Sequence, residues 1–284
     1  MRQQQYPLCG AVVKTTGGGG DVQEIDAPSG GGGEVGERRL RSDAPTTVVR
    51  EHGLEFEVRP QFGQKTAGFY CDQRESRKAV RELSEGKNVL DMFCYSGGFA
   101  LNAAAGGALR VVGVDSSQPA LEEAKVNAGR NRMEGLVTFV KDDALNFMKA
   151  SFLLRPRHGQ LYAPCDDKRY ICTAQTQGDK FEVVILDPPK LAPNKKALPR
   201  ATSRYKRLNT AALELVTPGG ILVTFTCSAA MTQGGGFVGV VQSAAAAAGR
   251  TITLLKTVGP AADHVTSPCY PEGSYLMGAF FYVV

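Results

Sequence analysis

Val89-Leu90-Asp91-Met92-Phe93-Cys94-Tyr95-Ser96-Gly97-Gly98 is the stretch that decides the fold. An apolar strand runs to an acid, breaks into a Gly-Gly turn and reopens as a helix over Phe99 to Ala105. Backbone N–H groups at such a helix start can meet an anionic ligand group, and the glycines allow close approach. Farther on, Arg110-Val111-Val112-Gly113-Val114-Asp115 reads as a second apolar strand. Its terminal carboxylate sits where folds of this kind hydrogen-bond ribose hydroxyls.

A dinucleotide fold explains the same spacing, but the full G-x-G-x-x-G is absent. Asp91 stands where the first glycine belongs, and a carboxylate there repels a pyrophosphate. S-adenosylmethionine has no phosphate and brings a sulfonium and an ammonium, which an acid attracts. The expected cofactor site is therefore Asp91, Tyr95, Gly97, Gly98, Asp115, Asp143 and Asp187 around S-adenosylmethionine. Asp143 is equally readable as the cap of the following helix.

Seven strands are expected, at Asn88–Phe93, Arg110–Val114, Val137–Lys141, Phe181–Leu186, Ile221–Thr226, Thr251–Lys256 and Tyr275–Val284. Helices fit between them, among them Pro119–Asn131 behind a Ser117 cap and Ser203–Val216 before Pro218-Gly219-Gly220. The pattern predicts an α/β doubly wound, mostly parallel, Rossmann-like sheet with right-handed crossovers. Ligands then collect at the carboxyl ends of the strands, where Asp91, Asp115, Asp143, Asp187 and Cys227 fall.

Ahead of this domain, residues 1–45 hold two glycine runs among polar residues and are expected to be disordered. Residues 46–75 are expected to form a small β appendage, with a hairpin turning at His52-Gly53. The domain itself spans 76–284, opening on a helix capped by Ser76, with an insertion at 151–180. The apolar share of 43% suffices for a core, and no 18-residue apolar run or secretory h-region is seen. An intracellular protein follows, cytoplasmic or organellar, with no membrane partner and with the oligomeric state, a homodimer included, left open. The seven cysteines are scattered without a C-x-x-C, and the three histidines lack metal spacing, so no metal site is expected.

Asp187-Pro188-Pro189-Lys190 places an acid at a strand end before two residues of fixed φ with no N–H donor, a rigid wall for a flipped base. Cys227 emerges from the end of the adjacent strand in Thr226-Cys227-Ser228. C5 of a pyrimidine is a poor nucleophile until something adds to C6, and a thiolate is the usual group for that step. The expected roles follow: Cys227 attacks C6 of cytosine, Asp187 stabilises charge developing toward N3, and C5 takes the methyl group. No base for the C5 proton is identifiable, and Cys94, inside the cofactor turn, reads as packing. From Pro188 to Leu213 there are seven basic residues and no acid. Lys190, Lys195, Lys196, Arg200 and Arg204 of that run are the expected RNA contacts, against the alternative of a solvated face.

The segments Gly63–Arg74, Phe93–Phe99, Asp187–Pro193, Thr226–Ser228 and Pro271–Leu276 together resemble the RlmI-type large-subunit ribosomal RNA cytosine-5 methyltransferases. The resemblance runs from about Val49 to the end, apart from the insertion. It implies S-adenosylmethionine-dependent methyl transfer to C5 of a cytosine in large-subunit rRNA, with Cys227 on the nucleophile position and Asp187 on the motif acid. Family members also carry an N-terminal PUA RNA-binding domain, which residues 1–45 cannot supply. The chain departs from the family at Asp263-His264-Val265, where a proline is usual after the histidine, and at Met277, where lysine is common. An rRNA guanine-N7 methyltransferase, whose chemistry needs no thiol, and a non-catalytic RNA-binding remnant are the alternatives.

Overall fold

The computed structural model describes residues 46–58, 68–153, 180–267, 269–270 and 273–284. The expected segment 1–45 and nearly all of the insertion lie outside the described residues. Two antiparallel strands, β1 (Thr47–Glu51) and β2 (Leu54–Val58), form the hairpin. His52 at φ 48° and Gly53 at φ 82° make the paired left-handed turn that matches strand twist. Next come α1 (Arg74–Glu82), β3 (Asn88–Met92), α2 (Gly98–Ala105), β4 (Arg110–Asp115), α3 (Gln118–Arg130), β5 (Val137–Lys141) and α4 (Ala144–Leu153). After the undescribed stretch follow β6 (Phe181–Leu186), α5 (Leu198–Leu215), β7 (Val216–Thr226), α6 (Ala229–Gln233), α7 (Phe237–Ala247), β8 (Ile252–Val258) and β9 (Met277–Val283).

The seven strands of the main sheet lie in the order β5-β4-β3-β6-β7-β9-β8, with β9 antiparallel to both neighbours and the other six running one way. This is the mostly parallel, doubly wound sheet read from the sequence. β3 is an inner strand, third from the β5 edge, with helices on both faces, so Val89, Leu90 and Met92 are wholly buried and the strand reads as an apolar run. The chain leaves β3 toward β4 and β5 on one side and returns to build β6 and β7 on the other. The order therefore reverses between β3 and β6, where a crevice opens at the strand ends.

The hairpin docks on the first helices rather than on the sheet. Asn127 of α3 and Asn131, which caps its C-terminus, accept from the backbone N–H groups of Glu57 (2.7 Å) and Glu55 (2.9 Å), and Asn131 donates to Glu55 O (2.7 Å). These amides satisfy an otherwise open strand edge. Glu51 meets the guanidinium of Arg77 through two 2.6 Å bonds in a buried pair.

Several expected boundaries shift. Ser76 is no cap: α1 begins at Arg74, and Ser76 is a buried residue of its first turn. The helix expected from Ser203 begins at Leu198, because Pro199 occupies the first turn, where a missing N–H costs nothing. β7 extends back to Val216 through an irregular pairing with Phe181, and β8 and β9 begin one and two residues later than expected. Among the described residues no helix is long and apolar enough to cross a membrane.

Candidate active site

The turn from Phe93 to Gly97 lines one wall of the crevice. Phe93 (φ 66°) and Tyr95 (φ 49°) both take left-handed backbone, which L-residues adopt only when the surroundings impose it. The constraint is visible: Val114 O at the end of β4 accepts from Phe93 N–H (2.8 Å) and Cys94 N–H (3.0 Å), and Asp115 Oδ2 accepts from Tyr95 N–H (3.0 Å). Gly97 takes φ 85°, which L-residues rarely adopt, and a Cβ there would press against the Phe139 ring at 3.2 Å. The Cys94 thiol is buried beside Gly113, and burial pushes its pKa well up.

Asp91 is wholly buried at the carboxyl end of β3. Its Oδ2 accepts from Ala100 N–H (2.9 Å) at the start of α2, so that part of the helix terminus, expected to face an anion, is capped from within. Its Oδ1 has no partner. Burial, with the nearby charges of Asp187 and Asp115, pushes the carboxyl up to about 8. A buried acceptor without a donor, flanked by two more acids, fits a cationic ligand group.

Asp115 accepts from Tyr95 N–H and, through Oδ1, from Ser117 N–H (2.8 Å), which fixes its plane at the mouth of the crevice. Asp143 is exposed and accepts from Leu145 (3.0 Å) and Asn146 (3.1 Å), so it caps α4. Asp142, bonded through its N–H to Asp115 O (3.1 Å), ties that cap to β4.

On the other wall, Asp187 follows β6 and Cys227 follows β7, neighbouring parallel strands with Leu186 level with Thr224. The two side chains meet electrostatically. Burial raises the Cys227 thiol to about 11, with the Asp187 charge as the second cause. Asp187 itself is raised to about 7, first by burial and then by Asp72, against the lowering effects of a 3.1 Å bond from Gln73 Nε2 and of Arg77. Cys227 is held by both its neighbours. Thr226 Oγ1 donates to Tyr205 Oη (2.8 Å), Tyr205 Oη lies 3.4 Å from Ser228 Oγ, and Ser228 Oγ accepts from Ala192 N–H (3.1 Å). This buried network fastens the strand end carrying the thiol to the Asp187-Pro188-Pro189 loop.

Lys190, Lys195, Lys196, Arg200 and Arg204 are all exposed, on that loop and on the first turns of α5. Lys196, Arg200 and Arg204 recur every fourth residue, one face of a helical stretch.

Sequence reasoning gave no role to Asp72, Gln73, Arg77, His264 or Tyr275. Asp72 and Tyr275 stand 203 residues apart, and their hydrogen bond is a product of the fold alone. The available signal was position: Asp72-Gln73-Arg74 and Gly273-Ser274-Tyr275 fall inside segments that carry the resemblance. Among the described residues no group of three His, Cys, Asp or Glu side chains is arranged to hold a metal ion.

Residues 40–156 match the family model described as S-adenosylmethionine-dependent methyltransferase. Ribosomal RNA large subunit methyltransferase I of Enterobacter sp. is 36% identical over 279 residues, 97% of this chain and 62% of that protein. The protein of the same name from Serratia proteamaculans matches with the same identity and coverage. The chain thus spans less than two thirds of the length of these relatives. In three dimensions, a methyltransferase solved in complex with SAH superposes with a TM-score of 0.67 at 20% identity, covering 86% of this chain and 57% of that one. At that identity the likeness speaks for the fold.

Proposed function

We propose that this chain, whose residues 40–156 match the S-adenosylmethionine-dependent methyltransferase family model and which is similar along 97% of its length to ribosomal RNA large subunit methyltransferase I proteins, is an S-adenosylmethionine-dependent methyltransferase that methylates C5 of a cytosine in large-subunit rRNA. The observation that supports this most is the convergence of Asp187 and Cys227 from the ends of β6 and β7, beside the β3 turn. A methyl donor with a cationic centre fits the crevice, because Asp91 Oδ1 is a buried acceptor without a partner. S-adenosylmethionine supplies, when bound, a methyl group made electrophilic by its positive sulfur. Asp91, Tyr95, Gly97, Gly98, Asp115, Asp143 and Asp187 are the residues we assign to holding it.

The protein's own contribution is to make C5 nucleophilic. As the Cys227 sulfur adds to C6 its S–H bond breaks and the proton passes by way of Asp187 to N3, so that the ring becomes an enamine whose C5 can accept a methyl group. Asp187, held near 7, is the group we assign to sharing a proton with N3 as charge accumulates there. Pro188 and Pro189 keep that carboxylate rigid, and the bond from Gln73 fixes its rotamer. The thiol near 11 is protonated at neutrality, which suits a site that acquires a positive charge only when the donor is in place. Lys190, Lys195, Lys196, Arg200 and Arg204 would meet RNA phosphates beside the base pocket. The compartment is then that of large-subunit rRNA, cytoplasmic or organellar.

Trapping tests the reading. RNA bearing 5-fluorocytosine should form a denaturation-stable adduct with the protein in the presence of the donor, and Cys227→Ala should abolish it. An adduct that survives in the alanine variant, or methyl transfer to RNA without dependence on Cys227, rules out the thiol chemistry.

A further inference from the structure

Methyl transfer to C5 leaves a proton that must depart with the sulfur, and neither Cys227, bound to C6, nor Asp187, engaged with N3, is free to accept it. Asp72 lies in the short 3-10 turn Cys71–Gln73, beside Gln73, whose side chain binds Asp187. Tyr275 precedes β9, which enters the sheet with Met277 opposite Thr226, so Tyr275 lies just beyond the strand end that presents Cys227. Thr232 of α6 holds the Tyr275 backbone by donating to its carbonyl (2.9 Å). The Tyr275 hydroxyl donates to Asp72 Oδ2, and His264 Nε2 lies 3.2 Å from the same hydroxyl oxygen. Asp72 is nine-tenths buried, and its Oδ1 has no partner.

We propose that Tyr275, backed by Asp72, takes the C5 proton in the elimination step; the proposal rests on the cytosine-C5 reading above. Tyr275 Oη accepts the proton as its own passes to Asp72 Oδ2. The electron pair of the broken C5–H bond forms the C5=C6 bond, the C6–S bond breaks, and Cys227 leaves as thiolate. Because the proton ends on a carboxylate, the tyrosine need never ionise, which agrees with the way burial and the Asp72 bond push its hydroxyl up. When sulfur and methyl add to opposite ring faces, the departing proton lies on the sulfur's side. Both Asp72 and Tyr275 are close enough to Cys227 to interact with its charge. His264, exposed to solvent, is placed to return the proton to water.

The test uses the full chain, an unmodified large-subunit rRNA transcript carrying tritium at cytosine C5, and a donor with a labelled methyl group. Wild-type protein should release one tritium per methyl transferred. In Tyr275→Phe and Asp72→Asn, methyl transfer should proceed through a first turnover while tritium release slows on the order of a hundredfold, the usual worth of a general base. A methylated, covalent protein–RNA complex should accumulate. Tritium released in step with methyl in both variants, or a parallel loss of the two signals, overturns the proposal. An inactive wild type, or activity that persists in Cys227→Ala, overturns the cytosine-C5 reading and this proposal with it, and so is told apart from failure of the proposal alone.

Discussion

Cys227 shows how a single residue's reactivity is set by its neighbours. Its thiol is raised to about 11 by burial first and by the Asp187 charge second. The thiolate fraction therefore climbs about tenfold per pH unit from 7 toward 10. Alkylation of Cys227 by iodoacetamide, followed on its own peptide to separate it from the exposed Cys71 and Cys269, should show that slope with no plateau below pH 10. Asp187→Asn removes the second cause. Because Asp187 gains its charge only as pH passes about 7, the variant should alkylate faster than wild type at pH 9 and equally at pH 6, while methyl transfer falls. A plateau near pH 8 in the wild type would contradict this. Asp91 gives the complementary case. Its folded-state pKa, about 8, lies above the ordinary carboxylate value, so the folded state binds the proton more tightly. The burial penalty is absent below about pH 4, grows between 4 and 8 and is complete above 8. Asp91→Asn retains an oxygen for Ala100 N–H and loses the charge. Urea unfolding should find it more stable than wild type by roughly 1–3 kcal/mol at pH 8.5 and level near pH 4, at the expense of donor binding. A variant less stable than wild type at pH 8.5 would refute the assignment.

At the scale of the element, the loop after β6 and the end of β7 behave as one piece because Tyr205, Thr226 and Ser228 join them. Ser228→Ala strands the buried Ala192 N–H, which should cost about 1–3 kcal/mol. Combined with Tyr205→Phe, the two changes should couple by roughly 0.5–3 kcal/mol, because both act on one network. Additive losses would mean that loop and strand are held separately. Why some elements were legible in the sequence and others not follows from the same contrast between local and distant causes. β3 and β6 are legible because both faces are covered and their apolar runs end at an acid, β3 stopping at Met92, one residue short of the expected Phe93, and β5 is legible because its buried Val137, Phe139 and Val140 stand out beside exposed Thr138 and Lys141. The hairpin read correctly because His52-Gly53 demands left-handed backbone. The start of α1 did not, since Ser76 has the chemistry of a cap but lies inside the helix, and tertiary contacts of Gln73 and Arg77 decide where the helix begins. The direction of β9 was equally hidden, because a buried apolar strand reads the same both ways. In the site, Asp187 and Cys227 were legible as strand-end residues, whereas Asp72 and Tyr275 have no local pattern and acquire meaning only from a contact across 203 residues.

For the whole molecule, charge is unevenly spread: a formal net charge of +5 coexists with a stretch from Pro188 to Leu213 that has seven bases and no acid. The fold turns that stretch into a surface, with Lys190, Lys195 and Lys196 on the loop and Arg200, Arg204 and Arg207 on the exposed side of α5. Its loop half begins at the carboxylate assigned to the base, so a strand tracking these cations would lead a nucleotide toward Asp187 and Cys227. Such contacts release counterions, and each one lost should change the log–log dependence of RNA affinity on salt by about 0.9 on duplex or 0.7 on single strands. Charge reversal at Lys195, Lys196 and Arg200 should thus flatten the slope by roughly two units on single-stranded RNA if all three touch phosphates. These side chains are exposed and remote from the buried core, so thermal unfolding should be unaltered within about 0.5 kcal/mol. The two measurements separate a binding surface from a merely solvated one. A slope that stays at the wild-type value returns the stretch to ordinary surface and moves the search for RNA contacts to the other rim of the crevice, where Tyr70 and Tyr95 stand edge to face, 5.6 Å apart.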